Sequence, residues 1–147
     1  MKRRAFLGLV VVAACSRAAP DATPEGAVRL WLEKMESAAE DQRAMREAYD
    51  LLGPRARANL KERAERASRG QGRRSEPWEM LAEGRFGLRF RPRSMASTLR
   101  GDDATVDVRG EGSDEHALVR CTRENGAWRI EPELPELQAP TRRDAGW

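Results

Sequence analysis

Two hydrophobic periods divide the chain. Across residues 24–67 apolar side chains recur every three or four positions, and across residues 84–131 they recur at every second one. Thr23-Pro24-Glu25 predicts a helix start, with a hydroxyl N-cap, a proline whose missing N–H costs nothing there, and an acid set against the helix dipole. Val28, Trp31, Leu32, Met35 and Ala39 then form one apolar stripe, with Glu33, Lys34 and Glu36 off it. A second helix is expected over residues 41–52, burying Met45, Ala48, Tyr49 and Leu52 and broken by Gly53-Pro54. A third, over residues 54–68, has only the thin stripe Ala56, Leu60, Ala64 and Ala67 among Arg, Lys and Glu, so it belongs along an edge of the core. Residues 77–81 read as one helical turn that carries Trp78 and Leu81 inward.

The period of two opens with Phe86, Leu88 and Phe90 alternating with Arg85, Gly87, Arg89 and Arg91, which predicts a half-buried strand ended by Pro92. Further strands are predicted over residues 95–100, 104–109, 116–123 and 127–131, with Gly101-Asp102 and Asn125-Gly126 as the turns between them. Helices first and strands afterwards predict an α+β fold: N-terminal helices packed on a curved antiparallel sheet of four to five strands. Alternation turns Leu88, Phe90, Ala104, Val106, Val108, Ala117, Val119, Cys121, Trp128 and Ile130 inward with Phe86. It leaves Asp107 on the opposite face and His116 with Leu118 and Arg120 on the solvent side, while Trp31, Trp78 and Trp128 read as core aromatics and not as a ligand cage.

The N-terminus follows neither period. Lys2, Arg3 and Arg4 precede an uncharged, mostly apolar run over residues 6–14 that closes on small residues and Cys15, the layout of an export signal. Nine helical residues fall far short of the roughly 30 Å of a bilayer core, so the run does not predict a permanent span. Val12-Ala13-Ala14-Cys15 resembles the lipobox of bacterial lipoproteins, which implies cleavage before Cys15 and a lipid on its thiol. The expected organisation is a signal peptide at residues 1–14, a lipidated tether at 15–23, a domain at 24–137 and a flexible tail at 138–147. Ser16 stands where an Asp tends to hold such lipoproteins at the inner membrane, so the resemblance implies a periplasm-facing protein of the outer membrane. Arg3-Arg4-Ala5-Phe6-Leu7 also resembles the twin-arginine motif, leaving the general secretory and twin-arginine routes both open.

The leader changes the charge reading. The chain has 27 Lys and Arg against 24 Asp and Glu, and Lys2, Arg3 and Arg4 account for the whole excess. A chain beginning at Cys15 is formally neutral, which argues against nucleic acid as a partner. A Cys15–Cys121 disulfide is one use of the two cysteines; lipidation of Cys15 instead leaves Cys121 as a small buried hydrophobe. No metal-ligand spacing appears, so no metal or other cofactor is expected.

The opening helix Pro24-Glu25-Gly26-Ala27-Val28-Arg29-Leu30-Trp31, the segment Tyr49-Asp50-Leu51-Leu52 and the last hairpin Asn125-Gly126-Ala127-Trp128-Arg129-Ile130 resemble nuclear-transport-factor-2-like domains. Among these, the small envelope lipoproteins are the most similar, and cystatin-like folds share the same helix-on-sheet layout. The resemblance implies a cone whose mouth holds a small molecule, and in some members an acid or histidine inside it. Neither Asp107 nor His116 faces inward by this register, so the expected function is non-catalytic: a lipid-anchored envelope protein whose domain binds a partner or small ligand. The alternative is a small pocket enzyme of the same fold, of isomerase, dehydratase or hydrolase type. A one-residue slip that turned His116 and Arg120 inward would favour it.

Charge is segregated although its sum is zero. Residues 54–100 hold thirteen Lys and Arg against five Asp and Glu, a net of +8 that the rest of the mature chain offsets. Arg85, Arg89 and Arg91 fall at even spacing and are the candidate anion-contact residues, with Arg55, Arg57, Lys61, Arg63 and Arg66 on the third helix. Anionic lipid, a wall polymer or another envelope protein is the expected counterpart. Pairing with Asp107, Glu111 or Glu115 is the competing use of these cations.

Overall fold

A computed structural model of the 147-residue chain describes residues 18–84 and 88–137. The leader, Cys15, Arg85, Phe86 and the tail at 138–147 lie outside the described residues. The elements run α1 (Pro24–Ser37), α2 (Gln42–Asp50), α3 (Pro54–Gln71), a short α4 (Met80–Gly84), then β1 (Ser94–Arg100), β2 (Asp103–Arg109), β3 (His116–Glu124) and β4 (Ala127–Glu131). The strands form an antiparallel meander in the order β1-β2-β3-β4. The fold is therefore α+β, with four strands among the described residues.

Local chemistry fixes the helix starts. Thr23 Oγ1 accepts a hydrogen bond from Gly26 N–H at 3.1 Å, and Asp41 Oδ1 accepts from Arg43 N–H at 2.8 Å, so each helix satisfies one of its orphan donors. The folded unit reaches back beyond α1: Pro20–Ala22 forms a 3-10 turn, and Asp21 pairs with Arg129 of β4 at 2.6 Å. The second helix stops at Asp50, two residues short of its predicted end. Leu51 and Leu52 run beside β4 instead, with Ile130 N–H donating to the Leu51 carbonyl at 2.9 Å and Gly53 N–H to the Ile130 carbonyl at 2.7 Å. The open edge of β4 outcompeted one more helical turn, and the α2–α3 linker seals that edge. The other edge is partly covered too, since Ser97 N–H of β1 donates to Glu25 of α1 at 2.9 Å.

Both tight hairpins form where expected. Glu124 pairs with Ala127 across Asn125-Gly126, whose φ values of 52° and 82° are the left-handed pair that a two-residue turn between twisted strands requires. The inner face then carries Ala104, Val106, Val108, Val119, Cys121, Trp128 and Ile130, all buried against Ala27, Val28 and Trp31 of α1 and Leu52, Ala56 and Leu60 farther along. Leu52, Leu60, Leu81 and Ile130 are wholly buried, and each such side chain contributes about 1.5–3 kcal/mol relative to exposure.

The strand expected over residues 84–91 does not form in its described part. Leu88 to Arg93 bend without a ladder, and sheet pairing starts only where Arg93 N–H donates to the Arg109 carbonyl at 2.7 Å. Pro92 has no N–H to offer and pulls Arg91 out of register, so pairing begins after it. Arg89 and Arg91 therefore do not share the outer face of a strand. Leu88 and Phe90 remain half-buried and pack against the edge of the core, with the Phe90 ring over Gly110.

Candidate functional site

The bend at residues 88–92 forms one wall of a groove of about 710 Å³. The opposite wall is the far half of α1, with Leu32, Met35 and Glu36, followed by Ala38 and Ala39. Met45 of α2 and Leu81 and Ala82 of α4 make the remainder. The stripe of α1 that faces the sheet at Val28 and Trp31 thus runs past the sheet, and Leu32 and Met35 end half-buried in the groove.

Short contacts hold α4 in place. Pro77–Glu79 is a 3-10 turn whose start is tied by Glu76 N–H donating to the Glu79 carboxylate at 2.9 Å. Before it, Ser75 N–H donates to Ser68 Oγ at 2.8 Å, and the Ser68 hydroxyl donates to the Ala64 carbonyl at 2.7 Å. Trp78 is half-buried, not sealed in the core, and the Arg46 guanidinium lies 4.8 Å from its ring centre. These contacts fix Leu81 and Ala82 against α2.

Ten of the thirteen lining residues are apolar, and the exceptions are Glu36, Arg89 and Arg91. Arg89 and Arg91 are exposed, and neither forms an ion pair or hydrogen bond among the described residues. Their neighbours differ: Arg93 pairs with Glu111 at 2.9 Å, and Arg109 with Asp107 at 3.1 Å. On α3, Arg57 pairs with Glu124 of β3 at 2.7 Å, Arg63 donates to Asn59 at 2.7 Å and to the Pro135 carbonyl at 2.6 Å, and Arg66 pairs with Glu62 at 2.6 Å. Those α3 arginines are engaged within the fold. Of the candidate anion-contact residues, the described fold brings Arg89 and Arg91 together at one groove, while Arg85 lies outside the described residues.

His116 has an acid beside it. Its Nε2 lies 2.9 Å from Asp107 Oδ1, and the Asp107 carboxyl is held below its ordinary value, first by the hydrogen bond from Arg109 and less by His116. Both residues stand on the outer face of the sheet, the His116 side chain 46% exposed, and neither lines the groove. Water reaches the pair, so it lacks the shelter a general base works in. A smaller hollow of 380 Å³ beside α3 interleaves Lys61, Arg69 and Arg74 with Glu65 and Glu76, leaving one positive charge over a lining with few apolar side chains.

Comparison with protein-family models, with curated proteins and with solved structures found no match to this chain. Among the described residues no helix is long and apolar enough to cross a membrane, and no group of three or more His, Cys, Asp or Glu side chains could hold a metal ion.

Seven of the groove's apolar residues, Leu32, Met35, Ala39, Met45, Leu81, Leu88 and Phe90, were on predicted apolar faces, whereas Ala38, Ala82 and Pro92 were not, and the convergence of all ten was not legible. It depends on where the chain bends between α4 and β1, and Pro92 was the only local sign of that bend. Glu36 carried no sign at all, being one of several acids off the α1 stripe.

Proposed function

We propose that this is a non-catalytic, lipid-anchored protein of the cell envelope, attached through Cys15, whose α+β domain binds a small ligand in the groove between α1, α2, α4 and residues 88–92. One observation carries the binding reading: a 710 Å³ groove lined by ten apolar residues, with its charged groups confined to three side chains. That size and composition fall within the range of small-molecule sites, which are mostly apolar with a few orienting polar groups. Met35 and Met45 in the lining are unbranched and polarizable, and adapt to ligands of differing shape. The reading fits a nuclear-transport-factor-2-like layout, in which helices and one sheet leave an opening for a small molecule. Anchoring rests on Val12-Ala13-Ala14-Cys15 alone.

Binding is tested with a neutral apolar dye, N-phenyl-1-naphthylamine, whose fluorescence rises on leaving water. The purified chain should enhance its emission saturably, and Ala82→Trp, which fills the groove from an exposed position, should abolish the enhancement. Equal enhancement by wild type and Ala82→Trp would remove the groove as the site. Anchoring is tested separately by metabolic labelling with a fatty acid, which Cys15→Ala should eliminate.

A further inference from the structure

The geometry points to a single-chain fatty acid as the ligand of this groove, its hydrocarbon along the apolar floor and its carboxylate between Arg89 and Arg91. This inference rests on the groove reading above and adds the chemistry of the ligand. A floor made by Leu32, Met35, Met45, Leu81 and Phe90 offers no hydrogen-bonding side chain. A ligand rich in hydroxyls or amides would leave its own polar groups unpaired there, at a cost in affinity. A ligand with one polar end and a long apolar body does not meet that cost.

The polar end is assigned by the charges at the groove. Arg89 and Arg91 stand on the same wall, both exposed and both without a partner among the described residues, in a region where Arg93 and Arg109 each hold a carboxylate. Guanidinium groups bind carboxylates through paired N–H donors, and binding of this kind is stronger than between neutral groups. Glu36 is the third charged group in the lining, so the three sum to a single positive charge. A monoanion balances that charge. A phosphate head, carrying up to two negative charges, would overbalance it and add repulsion with Glu36.

The test is calorimetric titration of the purified full chain with three twelve-carbon probes below their aggregation limits: dodecanoate, dodecanol and dodecyl phosphate. Dodecanoate should bind at least about tenfold more tightly than dodecanol, the size expected for hydrogen bonds to a charged partner. The double variant Arg89→Gln/Arg91→Gln should bring dodecanoate down to the affinity of dodecanol and leave dodecanol unchanged. Ala82→Trp should weaken both. Since both arginines are exposed and without a partner among the described residues, the double variant should keep the wild-type urea midpoint, which separates lost recognition from lost folding.

Equal wild-type affinities for dodecanoate and dodecanol would overturn the fatty-acid assignment while leaving an apolar binding groove in place. Tighter binding of dodecyl phosphate than of dodecanoate would overturn the carboxylate in favour of a phosphate head. Absence of binding by all three would overturn this inference and the groove reading together.

Discussion

The Glu131 carboxylate occupies the space that a side chain on Gly53 would fill. A Cβ at residue 53 would collide with Glu131 Oε1, and the carboxylate uses that space to accept hydrogen bonds from Arg55 N–H at 3.1 Å and Ala56 N–H at 2.9 Å. Helix α3 has no N-cap side chain of its own, because its N-cap is Gly53. The last residue of β4 supplies the missing cap from 76 residues away along the chain. A negative charge at a helix N-terminus also complements the dipole. One carboxylate thus joins the start of α3 to the end of the sheet.

Glu131→Ala should therefore destabilise the fold by about 0.5–2 kcal/mol, the usual range for a lost helix cap. Gly53→Ala should cost a comparable amount by displacing the same carboxylate. Because both variants remove one interaction, the double variant should cost clearly less than the sum of the two. Urea midpoints measure all three, and strict additivity would show that the carboxylate and the glycine act independently.

Trp31 is 2% exposed, and its indole Nε1 has no hydrogen-bond partner among the described residues. An unpaired buried donor carries its desolvation cost without return. Trp31→Phe removes that donor while keeping most of the ring, so the gain from the lost N–H should offset much of the lost packing. Its destabilisation should stay below about 1.5 kcal/mol, the limit for a near-conservative apolar exchange. Trp31→Ala should cost about 3–5 kcal/mol, and Trp128→Ala, on the facing strand and 3% exposed, should fall in the same range. A Phe variant as damaging as the Ala variant would show that the indole N–H is paired in solution.

The thiol of Cys121 is 2% exposed, and burial first, with the nearby Glu25 carboxylate second, pushes its pKa up to about 12 from an ordinary 9.0. A thiol so shielded holds almost no thiolate near neutrality, and the thiolate is the reactive form. Iodoacetamide at neutral pH should leave Cys121 unmodified in the native protein and label it only as urea unfolds the chain. Because the folded value is raised, the associated stability is fully present below pH 9 and is lost as pH climbs towards 12. Rapid native labelling would place Cys121 at the surface and contradict the register of β3.

What the sequence made legible was periodic, and what it hid was long-range. Val106, Val119 and Trp128 could be placed on the inner face because alternation alone decides it, and Asn125-Gly126 pinned their register. Thr23 announced its helix because a cap acts on neighbours two or three residues away, while Asp41, read only as a helix start, caps α2 through Arg43 N–H. Glu131 capping α3 and Leu51 bonding to Ile130 have no local trace, since each partner meets the other only after the sheet is built. The alternation of Phe86, Leu88 and Phe90 misled for the same reason. Two half-buried residues with an arginine between them satisfy a strand pattern, yet the described bend at Pro92 places Arg89 and Arg91 at a groove instead of on a sheet face.

Glu25 links the first turn of α1 to the edge of the sheet and gives the fold a predictable acid limb. Its carboxylate accepts the Ser97 N–H at 2.9 Å, and its pKa is held below an ordinary 4.5, first by hydrogen bonding from the Ser97 side chain, against an opposing effect of burial. The folded value lies below the unfolded one, so the stabilisation is fully present above pH 4.5 and disappears as pH falls through the folded value. Glu25→Gln removes the charge while retaining a hydrogen-bond acceptor for Ser97. Wild type should be the more stable at neutral pH, and the two urea-midpoint curves should converge as acid neutralises Glu25. The Gln variant should thus show the shallower loss between about pH 5 and pH 2, the window in which a depressed carboxylate titrates. Curves that remain parallel to the acid end would mean that Ser97 donates equally well to charged and neutral partners, and that the first turn of α1 holds the β1 edge without help from the charge.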